Sequence, residues 1–163
     1  LISTPRPMNE GDIAVLELGV VADGFWADRT RVRAAGDPST VQRKAFDAVV
    51  AAQAAAIAAV RPGVASGEVD RAAREVIHSC GFSDDEFLHV TGHGIGFRYH
   101  EPTPLILPGG ETILEEGMVH SVEPGVYNSD IGGIRVEDDV LVTESGSEVL
   151  GPCEKDCWPP RND

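Results

Sequence analysis

A chain of 163 residues, 42% of them hydrophobic, is long enough for one core; domains of this size bury roughly 68–70% of the surface their unfolded chains expose. Its 27 acidic against 13 basic side chains leave a net charge of −14, which excludes nucleic acid and anionic membrane as partners, because a phosphate-binding face needs clustered Lys and Arg. No apolar run approaches the ~20 residues that span a bilayer, the first residues lack a signal peptide's basic and apolar regions, and a cytoplasmic protein is the simplest expectation.

In chain order, residues 13–21 are an apolar run entered from Gly11-Asp12, which predicts a buried strand interrupted by Glu17. A charge inside a buried strand is costly unless it is paired or bound to a metal, so Glu17 is itself a functional signal. Asp23-Gly24 predicts a hairpin, with residues 25–32 as the return strand carrying Asp28. Asp37-Pro38 reads as an N-cap and first helical residue, opening an Ala-rich helix to about Val60, with Val41, Ala45, Val49, Ala52 and Ala56 as its stripe and Pro62-Gly63 as its stop. Ser66 is placed to cap a second helix ending at Gly81, with Cys80 on its apolar face. Residues 87–90, 118–127 and 134–143 read as strands, and residues 152–163, rich in Pro and charge, as a tail. The three cysteines, Cys80, Cys153 and Cys157, are too few and too uneven for a disulfide framework.

The segment Thr91-Gly92-His93-Gly94-Ile95-Gly96, followed by His100-Glu101-Pro102, carries the chemistry. Glu17 and Asp28 lie upstream of it, and Glu123 and Glu137 downstream. One imidazole and four carboxylates form a hard, oxygen-rich set without a thiolate, suited to divalent cations. Spacing by itself does not prove the site, since an acidic chain offers many such sets and a His beside glycines is more often part of a turn.

The run from Ile13 to Leu150 resembles the catalytic domain of the pita-bread metallopeptidases, the family of methionine aminopeptidase, Xaa-Pro aminopeptidase and prolidase. Four blocks occur in the family's order: Glu17-Leu18-Gly19 with residues 26–31 after it, Gly92 to Gly96 with His100-Glu101-Pro102, Val122-Glu123-Pro124-Gly125, and Gly132-Gly133-Ile134-Arg135-Val136-Glu137-Asp138. The resemblance implies an α+β pita-bread (creatinase/aminopeptidase) fold over residues 1–151, with the N-terminal part of the fold and a further active-site histidine expected upstream of Leu1. It implies two divalent ions, Mn, Co or Zn, held by Glu17, Asp28, His93, Glu123 and Glu137, with Asp28 and Glu137 bridging.

At the first of these positions the family has Asp, so Glu17 reaches farther by the ~1.5 Å of a carbon–carbon bond, and a weaker second ion is expected. Glu123 is the expected general acid/base, His100 the donor to the developing oxyanion, His89 a pocket histidine, and Arg135 an orienting partner for the carboxylates. The implied activity is hydrolysis of Xaa-Pro bonds at peptide N-termini or in dipeptides, through a hydroxide shared by the metals. The wording of the last two blocks favours the aminopeptidase P and prolidase branch. The expected partner is a peptide, with a homodimer left open and activity of this chain by itself not implied. The alternatives are a creatinase-like carbon–nitrogen hydrolase and a catalytically impaired interaction module.

Overall fold

The computed structural model describes residues 5–152 and residue 155. The chain opens with the expected hairpin, β1 (Ile13–Ala22) and β2 (Phe25–Ala34). Asp23 and Gly24 both adopt positive φ, 52° and 87°, the backbone that a two-residue turn needs to match strand twist. The strand is there, but the expected burial is not: Leu16, Leu18 and Val20 alternate onto one face and are 46%, 66% and 60% exposed. Among the described residues β1 pairs only with β2, so nothing covers that face.

Helix α1 (Thr40–Ala59) begins two residues later than the Asp37-Pro38 signal suggests. Ser39 is the cap: its hydroxyl accepts from the Gln42 amide while the Gln42 side chain accepts from the Ser39 amide, a reciprocal box that satisfies two otherwise free donors. The shift also moves the buried stripe. Ala45, Val49, Ala52 and Ala56 are buried as expected, joined by Phe46 and Ala48, whereas Val41 is 49% exposed. Helix α2 (Ser66–Ser79) is capped by the backbone of Ala65, so Ser66 is its first residue and not its cap. The small side chains of α1 let α2 pack closely, and Cys80 closes α2 half-buried against the same core. No helix among the described residues is long and apolar enough to cross a membrane.

The remaining chain builds a five-stranded antiparallel sheet in the order β4 (Glu101–Ile106), β3 (Gly92–Gly94), β5 (Val119–Val122), β8 (Asp138–Val142), β9 (Ser147–Val149), and a small sheet of β6 (Gly125–Asn128) with β7 (Gly132–Arg135). Residues 87–90 are loop, not strand. Strands β3, β4 and β9 escaped the sequence reading, β4 because it carries two prolines and β3 and β9 because each has three residues.

Both long strands expected downstream are broken in two. Val122 pairs with Asp138 in the large sheet, and Gly125 with Arg135 in the small one. Between them Glu123-Pro124 faces Val136-Glu137 with no ladder pairing, because Pro124 has no amide to give and the two strands change sheets together. Buried Gln53 of α1 ties the large-sheet end of this crossing, donating from Nε2 to Val122 O and to Asp138 Oδ2, each at 3.1 Å. The expected tail, with Cys153 and Cys157, lies outside the described residues, save Pro152 and Lys155.

Close approach of β3 to β5 depends on Gly92, where a Cβ would stand 2.0 Å from the Ser121 carbonyl oxygen. Gly92→Ala is expected to cost at least ~2 kcal/mol, whereas Gly146→Ala, whose Cβ meets nothing within 4 Å, should stay within about 0.5 kcal/mol of the parent. Urea melts of the two variants check this; equal midpoints would show that the strand contact yields without cost.

Candidate metal centre

The break in the strands is what aims the acids. With no ladder partner, the Glu123 amide donates to Thr91 O at 2.7 Å and the Glu137 amide to Thr30 O at 3.1 Å. These bonds draw the two acids to the segments that carry His93 and Asp28, each two residues from its anchoring threonine. The hairpin adds Glu17: Gly19 pairs with Asp28 and Glu17 with Thr30, so Glu17 and Asp28 lie diagonally on one face of the ribbon.

Asp28, His93 and Glu137 converge most tightly, each offering a ligand atom within 4.8 Å of the others, and all three are buried. Glu123 stands beside them, its Oε1 3.4 Å from His93 Nε2, while Asp28 Oδ2 is 3.9 Å from the same nitrogen. A cavity of about 300 Å³ opens onto this group and is lined by Glu17, Asp28, His89, His93, His100, Glu123 and Arg135. Every candidate residue of the sequence reading except Glu137 therefore lines one space, and Glu137 lies within ligand distance of two that do. A larger cavity, about 460 Å³ along α2, contains none of them.

The polar surroundings are arranged for a cation. His93 Nδ1 lies 3.0 Å from Gly94 O, which can only accept, so in the neutral ring Nε2 turns a lone pair toward the carboxylates. Asp28 Oδ1 and Glu137 Oε1 are buried with no hydrogen-bond partner, the condition a divalent ion relieves. These residues fit a divalent-metal site by charge, donor type and unfilled acceptor capacity. Glu17 is differently placed: its Oε1 accepts from the Tyr99 hydroxyl at 3.0 Å and its Oε2 from Arg135.

Arg135 also reaches Glu123 Oε2 at 3.8 Å and Glu137 Oε2 at 4.0 Å. His89 donates from Nδ1 to Val90 O and, with burial favouring the neutral ring, accepts the Tyr127 hydroxyl at Nε2, 2.8 Å away. His100 sits exposed near the cavity mouth, its ring 4.1 Å from that of His93.

Four residues at the site escaped the sequence reading. The Thr30 hydroxyl donates to Glu137 Oε2 and accepts from Arg135 Nε. Ser121 Oγ accepts the His93 amide and donates to Glu123 Oε1, both at 3.0 Å. Asp139 Oδ2 accepts the Asp28 amide at 3.0 Å, and Tyr99 holds Glu17. A signal existed for two of them, since Thr30 follows Asp28 and Ser121 precedes Glu123 by two residues, placing each on its neighbour's strand face.

Comparison with known proteins bears on the family and the fold. Residues 2–144 match the model of metallopeptidase family M24. An Xaa-Pro dipeptidase of Pyrococcus furiosus is 39% identical over 95% of this chain and 44% of its own length. The prolidase from Pyrococcus horikoshii OT3 superimposes with a TM-score of 0.89 at 35% identity, covering 95% of this chain and 44% of that one. An X-Pro aminopeptidase from Thermotoga maritima gives a TM-score of 0.84 at 36% identity over 90% of this chain and 41% of its own. The α+β pita-bread expectation is borne out over the portion present, and the chain spans less than half the length of these relatives.

The crowding of acids has a pH signature. Burial pushes Glu123 up to about 7 from its ordinary 4.5; burial and then the adjacent Glu123 and Asp28 charges push Glu137 up to about 9 from the same value. The folded state thus binds more protons than the unfolded chain across that window. The stability these two groups contribute is full below about 4.5 and is lost as pH rises through about 7 and then about 9. Chelator-treated protein is expected to show a falling Tm from about pH 5 to about pH 9, with added divalent cation raising the alkaline Tm most. A Tm that is flat in pH and indifferent to cation would contradict this placement of charge.

Proposed function

The chain belongs to metallopeptidase family M24, and from that premise we propose that it carries the metal-binding half of a peptidase that hydrolyses the bond between a residue and a following proline. The convergence of Asp28, His93 and Glu137, the first two of which line a cavity with Glu123, His89 and His100, carries this reading. Relatives described as Xaa-Pro dipeptidases and as an X-Pro aminopeptidase support the substrate class. A divalent ion, with Mn, Co and Zn all suited to these donors, would be held by Asp28, His93 and Glu137, with Glu123 and Glu17 alongside. Bound there it would acidify a water and polarise the scissile carbonyl.

The chain's own residues divide the remaining work. Glu123, anchored by Ser121 and close to the ligand cluster, is placed to take a proton from water and return it to the leaving amine. His100, at the open side, is placed to donate to the oxygen on which charge develops. His89, locked between Val90 O and the Tyr127 hydroxyl, shapes the wall and keeps Tyr127 beside Arg135. Arg135 holds the carboxylates apart and in orientation. A creatinase-like hydrolysis of a different carbon–nitrogen bond is the second reading, and the buried unpartnered oxygens of Asp28 and Glu137 favour the metal-dependent one.

The test uses the natural polypeptide that carries this chain, assayed on Xaa-Pro dipeptides and on longer peptides with proline in second place. Chelation is expected to abolish turnover, and Mn²⁺, Co²⁺ or Zn²⁺ to restore it. Glu123→Gln, nearly isosteric but unable to carry the proton, should lower kcat by about 10²–10⁴-fold with the fold unchanged. His100→Ala should lower kcat more than it raises KM. Metal-independent turnover, or full activity in Glu123→Gln, would sink the proposal.

A further inference from the structure

We propose that Tyr99 is a positioning residue that governs the second metal position: with Arg135 it clamps the Glu17 carboxylate, so one ion binds tightly through Asp28, His93 and Glu137 and a second gains Glu17 only when the clamp opens. This rests on the metal reading above and gives the weaker second ion expected from the sequence a structural cause outside the ligands themselves.

The two oxygens of Glu17 are both taken by protein donors, Oε1 by the Tyr99 hydroxyl at 3.0 Å and Oε2 by Arg135. The single proton of that hydroxyl is given to Glu17, which lies diagonally across the hairpin from Asp28. By contrast, Asp28 Oδ1 and Glu137 Oε1 are buried and have no partner. A cation entering the Asp28 side meets open acceptors. One entering the Glu17 side must displace a phenol and approach a guanidinium, and the latter repels it.

The phenol is held by the fold. Its ring lies over Gly19, where a Cβ would come within 2.8 Å of Cε2. Trp26 packs edge-on at 5.2 Å, and the His100 ring lies 4.9 Å away. The ring occupies the space that the missing Gly19 side chain leaves, two residues along the same strand face from Glu17. Swinging the hydroxyl away from Glu17 therefore means moving a packed ring. Glutamate in place of the aspartate expected at this position suits such a clamp, because its additional methylene carries the carboxylate farther from β1.

Calorimetric titration with Mn²⁺, elemental analysis, and electron paramagnetic resonance of the Mn²⁺-loaded natural polypeptide test this without an activity assay. The parent is expected to take one ion tightly and a second at least about tenfold more weakly, the factor of one hydrogen bond to a charged group. Tyr99→Phe keeps the ring and removes the hydroxyl; it should tighten the second ion about tenfold, leave the first unchanged, and bring on the spectrum of spin-coupled Mn²⁺ at lower added metal. Tyr99→Met, a second hydroxyl-free side chain, should move the second ion in the same direction. Glu17→Gln should remove the second step, and Tyr99→Phe in that background should then change nothing. Two ions of equal affinity in the parent, or a second ion unmoved or weakened by Tyr99→Phe, would overturn the clamp while leaving the metal-dependent reading in place. Absence of any tight ion would overturn both.

Discussion

Two backbone hydrogen bonds, from the Glu123 amide to Thr91 O and from the Glu137 amide to Thr30 O, organise the rest of the site. They form because β5–β8 and β6–β7 are one long strand pair that changes sheets, leaving two residues on each chain outside the ladder. A buried amide without a ladder partner must find another acceptor, and the nearest ones lie on the segments that carry Asp28 and His93. The loss of regular pairing thus couples three sequence-distant segments at the point where their side chains meet. Gln53 makes the arrangement dependent on α1 as well, since its amide joins Val122 O and Asp138, the last pair of the large sheet before the gap.

Electrostatics sets the second constraint. Asp28, Glu123, Glu137 and Asp139 are buried together, and burial raises the proton affinity of each. Arg135 offsets part of that repulsion, and Thr30, Ser121 and the Asp28 amide each give one donor to a single carboxylate. The donors present are fewer than the acceptor sites, and Asp28, Glu137 and Asp139 each keep a buried oxygen with no partner. The protein has concentrated negative charge where its own side chains do not neutralise it, which is how a cation site differs from a structural ion-pair network.

The sequence shows the donors more clearly than the framework. His93 and the four acids were recognisable because glycine-flanked histidine and the Glu-Pro-Gly and Gly-Gly-Ile-Arg-Val-Glu-Asp blocks join residue chemistry to order along the chain. The hairpin was legible from Asp23-Gly24, whose left-handed backbone few other pairs adopt as readily. The strand breaks were not read, because Val119, Val122, Val126, Ile134, Val136 and Val140 keep an apolar pattern through them; Pro124 was the available warning, since proline is excluded from central ladders. The helix start was misplaced for a similar reason. Asp37-Pro38 is a sound local signal, but the Ser39–Gln42 box satisfies two donors where Asp37 would satisfy one. The hold of Tyr99 on Glu17 is not legible in the sequence, because it depends on the absent side chain of Gly19, a contact across the fold that no local pattern records.

The uncovered face of β1 has a consequence for how the chain behaves in solution. Leu16, Leu18 and Val20 lie along a ten-residue strand whose outer edge is free of pairing among the described residues. Such an edge offers unpaired amides and carbonyls beside apolar side chains, the features by which strands of separate molecules add to one another. Opposing this, every copy carries a charge of −14, so two copies repel before their edges meet. That repulsion acts through solvent and is screened over about 8 Å at physiological ionic strength, whereas apolar contact is not weakened by salt. Colloidal stability of this chain is therefore an electrostatic property, greatest in dilute buffer and diminishing as salt is added or as acid titrates the surface carboxylates.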